Sequence, residues 1–473
     1  MKKLLAVIIC SVMIVALLPV AVSARTWKGN FGENDEYYFI YDYTADNYDP
    51  QNSASTLEIG VNEGFEGACD GVLPESELVD EFPWNEVASN KARTYLRSVT
   101  FKDGITYIPK GMFTDSSLLN TVVIEGNLTS IGDRAFEGVT ALKSLVLPDS
   151  VSSIGKYAFR YSGIESINVP AGLVDIAASS FECMPALKTV TIPEGVKSIG
   201  DYAFTNNTSL ETVTLPSTLE TIGANAFRRC TALVSADIPA SVTSIGMNAF
   251  KYCKSLGGAV VPEGIETLNE GVFYGCEAAT SFTLPSTLKT IEKEAFYDCK
   301  SLAAITIPAS VEKIELRAFG NCSALTSIAI PDGIGEIANY MFYGCESLAS
   351  VSIPASVTAL GKGAFYGCKA LPSITLPASL AAIGSDCFYE CENLSSVNIP
   401  ETVKNIGKYA FCRCFALSSV SVPSAKTLIG RYAYGYYYTK DSGFNVAPNT
   451  VYGAKNSYAQ KYAQDLGLNF IIG

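Results

Sequence analysis

From Leu96 to the C-terminal tail, hydrophobic and polar positions recur with a period of 23 residues. At Leu210 the unit reads Leu-x-x-Val213-x-Leu215-Pro216-x-x-Leu219-x-x-Ile222-Gly223-x-x-Ala226-Phe227-x-x-Cys230. It starts fifteen times, at Leu96, Leu119, Leu142, Ile164, Leu187, Leu210, Leu233, Leu256, Ala279, Leu302, Leu325, Leu348, Leu371, Leu394 and Leu417. The one break in register is a 22-residue copy from Leu142 to Gly163. A self-similar period of this length is the mark of a repeat array, in which one core grows along an axis instead of dividing into globular domains.

Inside each copy, short β-branched runs such as Thr212-Val213-Thr214-Leu215 and Ser396-Val397-Asn398-Ile399 alternate in polarity. They predict strands with one buried face. Proline then recurs from Pro216 through Pro239, Pro262 and Pro285 to Pro423 and ends each run, because it has no N–H for a ladder. A second apolar segment (Leu219, Ile222) leads to a glycine turn, and Ala-Phe fills the back of the unit. One copy cannot fold alone. About seven inward side chains at ~1.5–3 kcal/mol each do not offset ~1–2 kcal/mol of backbone entropy per residue. Stacking must supply the difference, so the chain is expected to be a mainly β repeat solenoid of leucine-rich-repeat type. Its short parallel strands would stack in a curved right-handed coil, with few helices. At roughly 4.8 Å per coil its length would be on the order of 70 Å.

Such a rod needs covers at both ends. The sequence divides accordingly into a leader (residues 1–24), an N-terminal acidic cap (25–95), the solenoid (96–439) and a C-terminal cap (440–473). Lys2-Lys3, the apolar run from Leu4 to Val22 and Val22-Ser23-Ala24 have the three parts of a secretory signal, with an uncleaved anchor as the alternative. In the N-terminal cap, Phe82-Pro83-Trp84 would close the first coil. At the other end the last copy degenerates into Tyr432-Ala433-Tyr434-Gly435-Tyr436-Tyr437-Tyr438. Thr450-Val451-Tyr452, a helix from Ser457 to Leu466 with Ser457-x-x-Gln460 as its N-cap, and Leu468-Asn469-Phe470-Ile471-Ile472 then make a closing unit.

The unit Ile-Pro-x-Ser-Val-x-x-Ile-Gly-x-x-Ala-Phe-x-x-Cys resembles the BspA-type leucine-rich repeat of bacterial secreted and surface proteins. Phe82-Pro83-Trp84 followed by Val99-Thr100-Phe101-Lys102-Asp103-Gly104-Ile105 is similar to one end of such proteins. Asn449-Thr450-Val451-Tyr452-Gly453 with Ser457-Tyr458-Ala459 is similar to the other. The resemblance implies a binding role, since some members are adhesins for host matrix proteins or other cells, and it carries no catalytic residues.

Composition narrows the chemistry. The formal net charge is −13, and loss of Lys2 and Lys3 with the leader would take it to −15. Fifteen acidic against five basic residues between Arg25 and Thr100 place most of that charge in the N-terminal cap. Such a surface repels nucleic acid and anionic lipid. There is no histidine, which removes Ser-His-Asp and Cys-His nucleophile systems and histidine metal sites. The acids in the coils, such as Glu194, Glu263, Asp332 and Glu401, are scattered at outward positions where solvation explains them. Cys230, Cys253, Cys276, Cys299, Cys322, Cys345, Cys368, Cys391 and Cys414 form a column three residues after the repeat phenylalanine. Stacking keeps their Cβ vectors parallel, against disulfide geometry, and a straight line builds no tetrahedral metal site. A ladder of small buried thiols is expected, with Cys387–Cys391 and Cys412–Cys414 as the places for a bridge. Asn207 stands in the same column.

Two outward surfaces are candidates for binding an extracellular protein or glycan. The strand face carries small hydroxyls and amides, among them Thr189, Thr191, Thr212, Thr214, Ser281, Thr283, Ser350, Ser352, Ser373, Thr375, Ser396, Asn398, Ser419 and Ser421. Plain β propensity is the alternative reading there. The second surface is a tyrosine strip, Tyr274, Tyr297, Tyr343, Tyr366 and Tyr389, whose rings would grip a sugar or protein or simply stiffen the rod. The expected function is a secreted or surface-associated binding module without catalysis, cofactor or metal. A structural spacer and a glycan-binding accessory are the alternatives. Ligand and oligomeric state are open.

Overall fold

The computed structural model describes residues 24–31, 37–44, 54–61, 96–439, 443–446 and 450–473. The leader up to Ser23, Phe82-Pro83-Trp84, Cys10 and Cys69 lie outside the described residues. Ordered coils stack so that residues one period apart become neighbours. Thr189-Val190-Thr191 pairs in parallel with Thr212-Val213-Thr214, each residue facing its equivalent 23 positions on. The same register joins Ser327–Ala329 to Ser350–Ser352 and Ser373–Ile374 to Ser396–Val397. The strands alternate as their polarity predicts: Val190 is buried between exposed Thr189 and Thr191.

A second parallel sheet, absent from the sequence expectation, runs along the segment before the glycine turn. There Ser198-Ile199 pairs with Thr221-Ile222, and that with Ser244-Ile245. These strands are two residues long, too short for alternation to be read locally. A third ladder occupies the back of the coil and points the other way. Asn225, Phe227 and Arg229 donate their N–H groups to the carbonyls of Met247, Ala249 and Lys251 in the next coil, at 2.9, 2.8 and 2.7 Å. The geometry requires Asn225 and Arg229 at φ 58° and 60°, a left-handed conformation costing a non-glycine residue roughly 1–2 kcal/mol. The backbone hydrogen bonds gained in every coil offset it.

The core is a set of columns. The repeat phenylalanines from Phe113 to Phe411 stack ring on ring, the centroids 5.2 Å apart at Phe388–Phe411 and 5.9 Å at Phe319–Phe342. Offset stacking of this kind adds ~0.5–1.5 kcal/mol per pair beyond burial. This spacing exceeds the ~4.8 Å of paired strands, so each coil is wider at the phenylalanine side and the strand face becomes concave. Where the third position of the Pro-x-Ser motif is Ser or Thr, its hydroxyl pins the coil to the one before. Thr218, Ser241, Ser310 and Ser356 donate to the carbonyls of Val196, Leu219, Leu288 and Ile334. The short copy closes through Gly163, where any Cβ would overlap the Thr140 carbonyl oxygen.

Both ends are covered. Three antiparallel strands, β1 (Ala24–Phe31), β2 (Tyr37–Thr44) and β3 (Ala54–Val61), extend the sheet beyond the first coil strand β4 (Ser98–Phe101). β3 pairs with β4 in parallel and buries Leu57 and Ile59 against the first coil. At the far end the hairpin Tyr436–Thr439 and Gly443–Val446 precedes strands Thr450–Gly453 and Asn469–Ile472, which continue the parallel sheet. Helix α1 (Tyr458–Leu466) is the single helix among the described residues. Ser457 caps it by accepting from Gln460 N–H at 3.1 Å, while Gln460 Oε1 accepts from Asn456 N–H at 2.7 Å, one residue before the usual capping box. Tyr434 takes the phenylalanine position of the last coil, and the Tyr462 hydroxyl from α1 both accepts from Tyr434 N–H and donates to Tyr434 O, at 2.9 Å each.

Inside and outside positions should separate sharply in stability. Ile305 is buried and Ser350 exposed. Ile305→Lys should cost about 3–5 kcal/mol by burying an unpaired charge, whereas Ser350→Ala should stay within about 0.5 kcal/mol. Urea denaturation followed by circular dichroism checks both, and equal losses would refute the assignment.

Candidate functional site

Ser350, Ser352, Ser373, Thr375, Ser396 and Asn398 are all exposed on the concave strand face. Ser350, Ser352 and Thr375 come together with Ala304, Thr306, Ser327 and Ala329 around one shallow depression of about 640 Å³. A second depression of about 540 Å³ lies toward the N-terminal side, between Val234, Ser235, Asp237, Gly258, Val260 and Ser281. Ser373, Ser396 and Asn398 continue the face past the first, with Ser373 beside Ser396 and Asn398 beside Ser421.

The charge pattern of this face divides the rod. Its outward positions lie one, two and four residues after the repeat leucine. Arg97, Lys143, Glu165, Lys188, Glu211 and Asp237 occupy such positions in the first seven coils. In the eight coils from Leu256 to Leu417 none is charged, and the side chains are Gly, Ala, Ser, Thr, Val, Pro or Asn. That leaves an uncharged, hydroxyl-rich trough about 35 Å long at the usual strand spacing. A partner could lie on it without stripping water from an ion. This division was readable from the repeat alignment, but the depressions arise only from curvature.

The five strip tyrosines lie elsewhere, on the lateral side after the phenylalanine column, and all are half-buried. They form two groups. Tyr274 and Tyr297 have ring centroids 4.9 Å apart; Tyr343, Tyr366 and Tyr389 follow at 5.2 and 4.8 Å. Between the groups the Tyr297 ring lies across Gly320, where a Cβ would sit 2.7 Å from it, and its hydroxyl accepts from Asn321 Nδ2 at 3.0 Å. Burial holds the phenols of Tyr274, Tyr297, Tyr366 and Tyr389 in the neutral form, pushing Tyr366 up to about 12. Much of each ring face is spent on its neighbour.

The scattered acids do structural work. Glu194 accepts from Ser217 N–H and Oγ, both at 3.0 Å, which lowers its carboxyl pKa. Glu263 accepts from Ser286 N–H and Oγ at 3.1 and 3.0 Å. Among the described residues no cluster of three or more His, Cys, Asp or Glu could hold a metal ion. No described helix is long and apolar enough to cross a membrane.

The profile of the "BspA type Leucine rich repeat region (6 copies)" matches residues 91–211, 129–257, 198–326, 248–371 and 313–440. The chain belongs to the BspA-type leucine-rich repeat family. Among solved structures, a leucine-rich repeat protein from Bacteroides ovatus is 25% identical with a TM-score of 0.58, covering 92% of this chain and 98% of that one. A leucine rich cell surface protein from Faecalibacterium prausnitzii is 23% identical with a TM-score of 0.38, covering 89% and 96%. The pneumococcal vaccine antigen PcpA is 15% identical with a TM-score of 0.37, covering 96% and 99%. No curated protein matches the chain.

In this BspA-type solenoid the cysteine column has a defined task. Each thiol donates to the phenylalanine carbonyl of the preceding coil, as from Cys230 to Phe204 O at 3.2 Å and Cys299 to Phe273 O at 3.3 Å. Asn207 does the same with its amide, donating to Phe181 O at 3.0 Å and accepting from Met184 N–H at 2.7 Å. The twelve described cysteines are buried and none is in a disulfide, Cys387, Cys391, Cys412 and Cys414 included, so the two places expected for a bridge hold none. Cys387 instead fills the alanine position before Phe388.

Burial pushes Cys230 and Cys345 up to about 12 from an ordinary 9.0, and the rest of the column is raised for the same reason. A thiol raised on folding stabilises fully below the unfolded pKa and loses that stability as pH climbs through the folded one. The urea midpoint should therefore fall above pH 9, each column thiol contributing about 1.4 kcal/mol per pH unit. Cys299→Val and Cys322→Val together should flatten that slope, and a thiol-specific reagent should label these positions only after denaturation. A pH-independent midpoint from 8 to 11 would contradict this.

Proposed function

We propose that this chain is an extracellular, non-catalytic binding module that receives a macromolecular ligand on the trough of coils Leu256 to Leu417. In this reading residues 1–24 are a cleaved leader, residues 25–95 and 440–473 are caps, and residues 96–439 present the surface. The trough carries the proposal: eight coils with no charge at their strand-face positions, on a chain of net charge −13, four of them lining a depression of about 640 Å³. Small hydroxyls lose little rotamer freedom when covered, and each offers both a donor and an acceptor. A protein surface is the partner this supports best, because many weak contacts over a broad area suit an extended interface. The family membership and the secretory-type leader support an extracellular setting. The lack of histidine and the structural tasks of Glu194 and Glu263 support the absence of catalysis. The purely structural spacer is the second reading, favoured by the self-stacking of Tyr343, Tyr366 and Tyr389.

Screening the folded chain against matrix proteins and glycans by surface plasmon resonance separates these readings. A bound protein should lose about tenfold or more in affinity on Thr306→Arg or Ser352→Arg, which plant a charge in the trough. Tyr343→Ala with Tyr366→Ala should leave affinity unchanged and lower the melting temperature. Loss of binding only in the tyrosine variant would move the site to the strip, and no binding by any partner would leave the spacer.

A further inference from the structure

In this solenoid the electrostatic partner of a lateral side chain is the residue one coil away. Arginines of the turn columns follow the rule: Arg160 meets Glu137 at 3.5 Å, Arg317 meets Glu294 at 3.4 Å and Arg413 meets Glu390, each 23 residues apart. Lys254 and Lys300 likewise share Glu277, at 3.1 and 3.0 Å.

Arg228, Arg229 and Lys251 have no carboxylate one coil away, and Arg229 and Lys251 face tyrosines there instead. One period below Lys251 stands Arg228, so two cations occupy successive places in one column. One period below Arg228 and Arg229 stand Thr205 and Asn206, and above Arg229 and Lys251 stand Tyr252 and Tyr274. The Arg229 N–H to Lys251 O bond of 2.7 Å locks the two coils together at this point. None of the three cations is in an ion pair among the described residues, and Arg228 Nε is buried without a hydrogen-bond partner. Like charges held side by side repel, and an unpaired buried donor costs free energy. The Lys251 ammonium lies 4.1 Å from the Tyr274 ring centroid and 5.6 Å from that of Tyr252, and Arg229 lies 5.9 Å from Tyr252.

We propose that Arg228, Arg229 and Lys251, bordered by Tyr252 and Tyr274, bind the carboxylated sugars of an acidic glycan. A carboxylate answers the repulsion and supplies the acceptor that Arg228 lacks, and guanidinium forks suit its two oxygens. The two tyrosines, set edge to face at 5.2 Å, border the cations with ring edges and hydroxyl tips against which a sugar can rest. Three cations on an acidic protein do not suit a densely charged nucleic acid. The site lies on the lateral turns, apart from the strand-face trough, and stands or falls independently of it.

The test is calorimetric titration of the full chain with oligogalacturonate, with neutral oligogalactose and with polyglutamate, at low and raised salt. Oligogalacturonate should bind, weaken with salt, and lose at least about tenfold in the Arg228→Gln/Lys251→Gln variant. Tyr274→Ala should weaken it too, while neutral oligogalactose should not bind. A normal melt in each variant shows that the fold survives. No binding of oligogalacturonate, equal binding by the double variant, or equal affinity for polyglutamate would overturn the proposal.

Discussion

Stacking in register is the constraint on which the rest of this molecule depends. Once each residue lies over its equivalent 23 positions away, every column becomes a one-dimensional crystal of a single side-chain type. Phenylalanine stacks on phenylalanine, thiol follows thiol, and the Pro-x-Ser hydroxyl meets the same carbonyl again and again. A chemistry that works for one pair of coils is multiplied along the rod, and so is its cost. Fourteen copies can keep two left-handed residues per turn because each gains ladder bonds to the next coil.

The same rule makes exceptions informative. Where a column changes type, a local need has overridden the repeat. Gly163 replaces a longer turn because the shortened copy brings its backbone against Thr140. Asn207 substitutes for cysteine while donating to the same kind of carbonyl. Glu137, Glu294 and Glu390 stand one coil below the arginines that need them. Arg228 below Lys251 is an exception, with no carboxylate one coil away from either.

Function on such a scaffold is a property of faces. The strand face gathers residues distant in sequence: Thr306, Ser327, Ser352 and Thr375 meet around one depression although they come from four copies. The lateral face spends its aromatic surface largely on itself, which explains why Tyr297 and Tyr366 are half-buried and why their phenols resist ionisation. An aromatic strip looks like a binding surface in one dimension and like packing in three.

The sequence by itself determined the solenoid, the alternation of strands such as Thr189-Val190-Thr191, the capped helix at Ser457 and the thiol column, because each is set by local polarity in the chain. It missed the second sheet, since two-residue strands such as Thr221-Ile222 carry no alternation. It also missed the reversed ladder behind them, since left-handed Arg229 or Tyr252 has no signature in residue type. The covering strand β3 was within reach, through the alternation of Leu57 and Ile59. Concavity of the strand face, self-occlusion of the tyrosines and the unanswered cations were decided only in the tertiary structure. Each depends on distances between coils, and the difference between aromatic and strand spacing, which bends the rod, exists only once the coils are stacked.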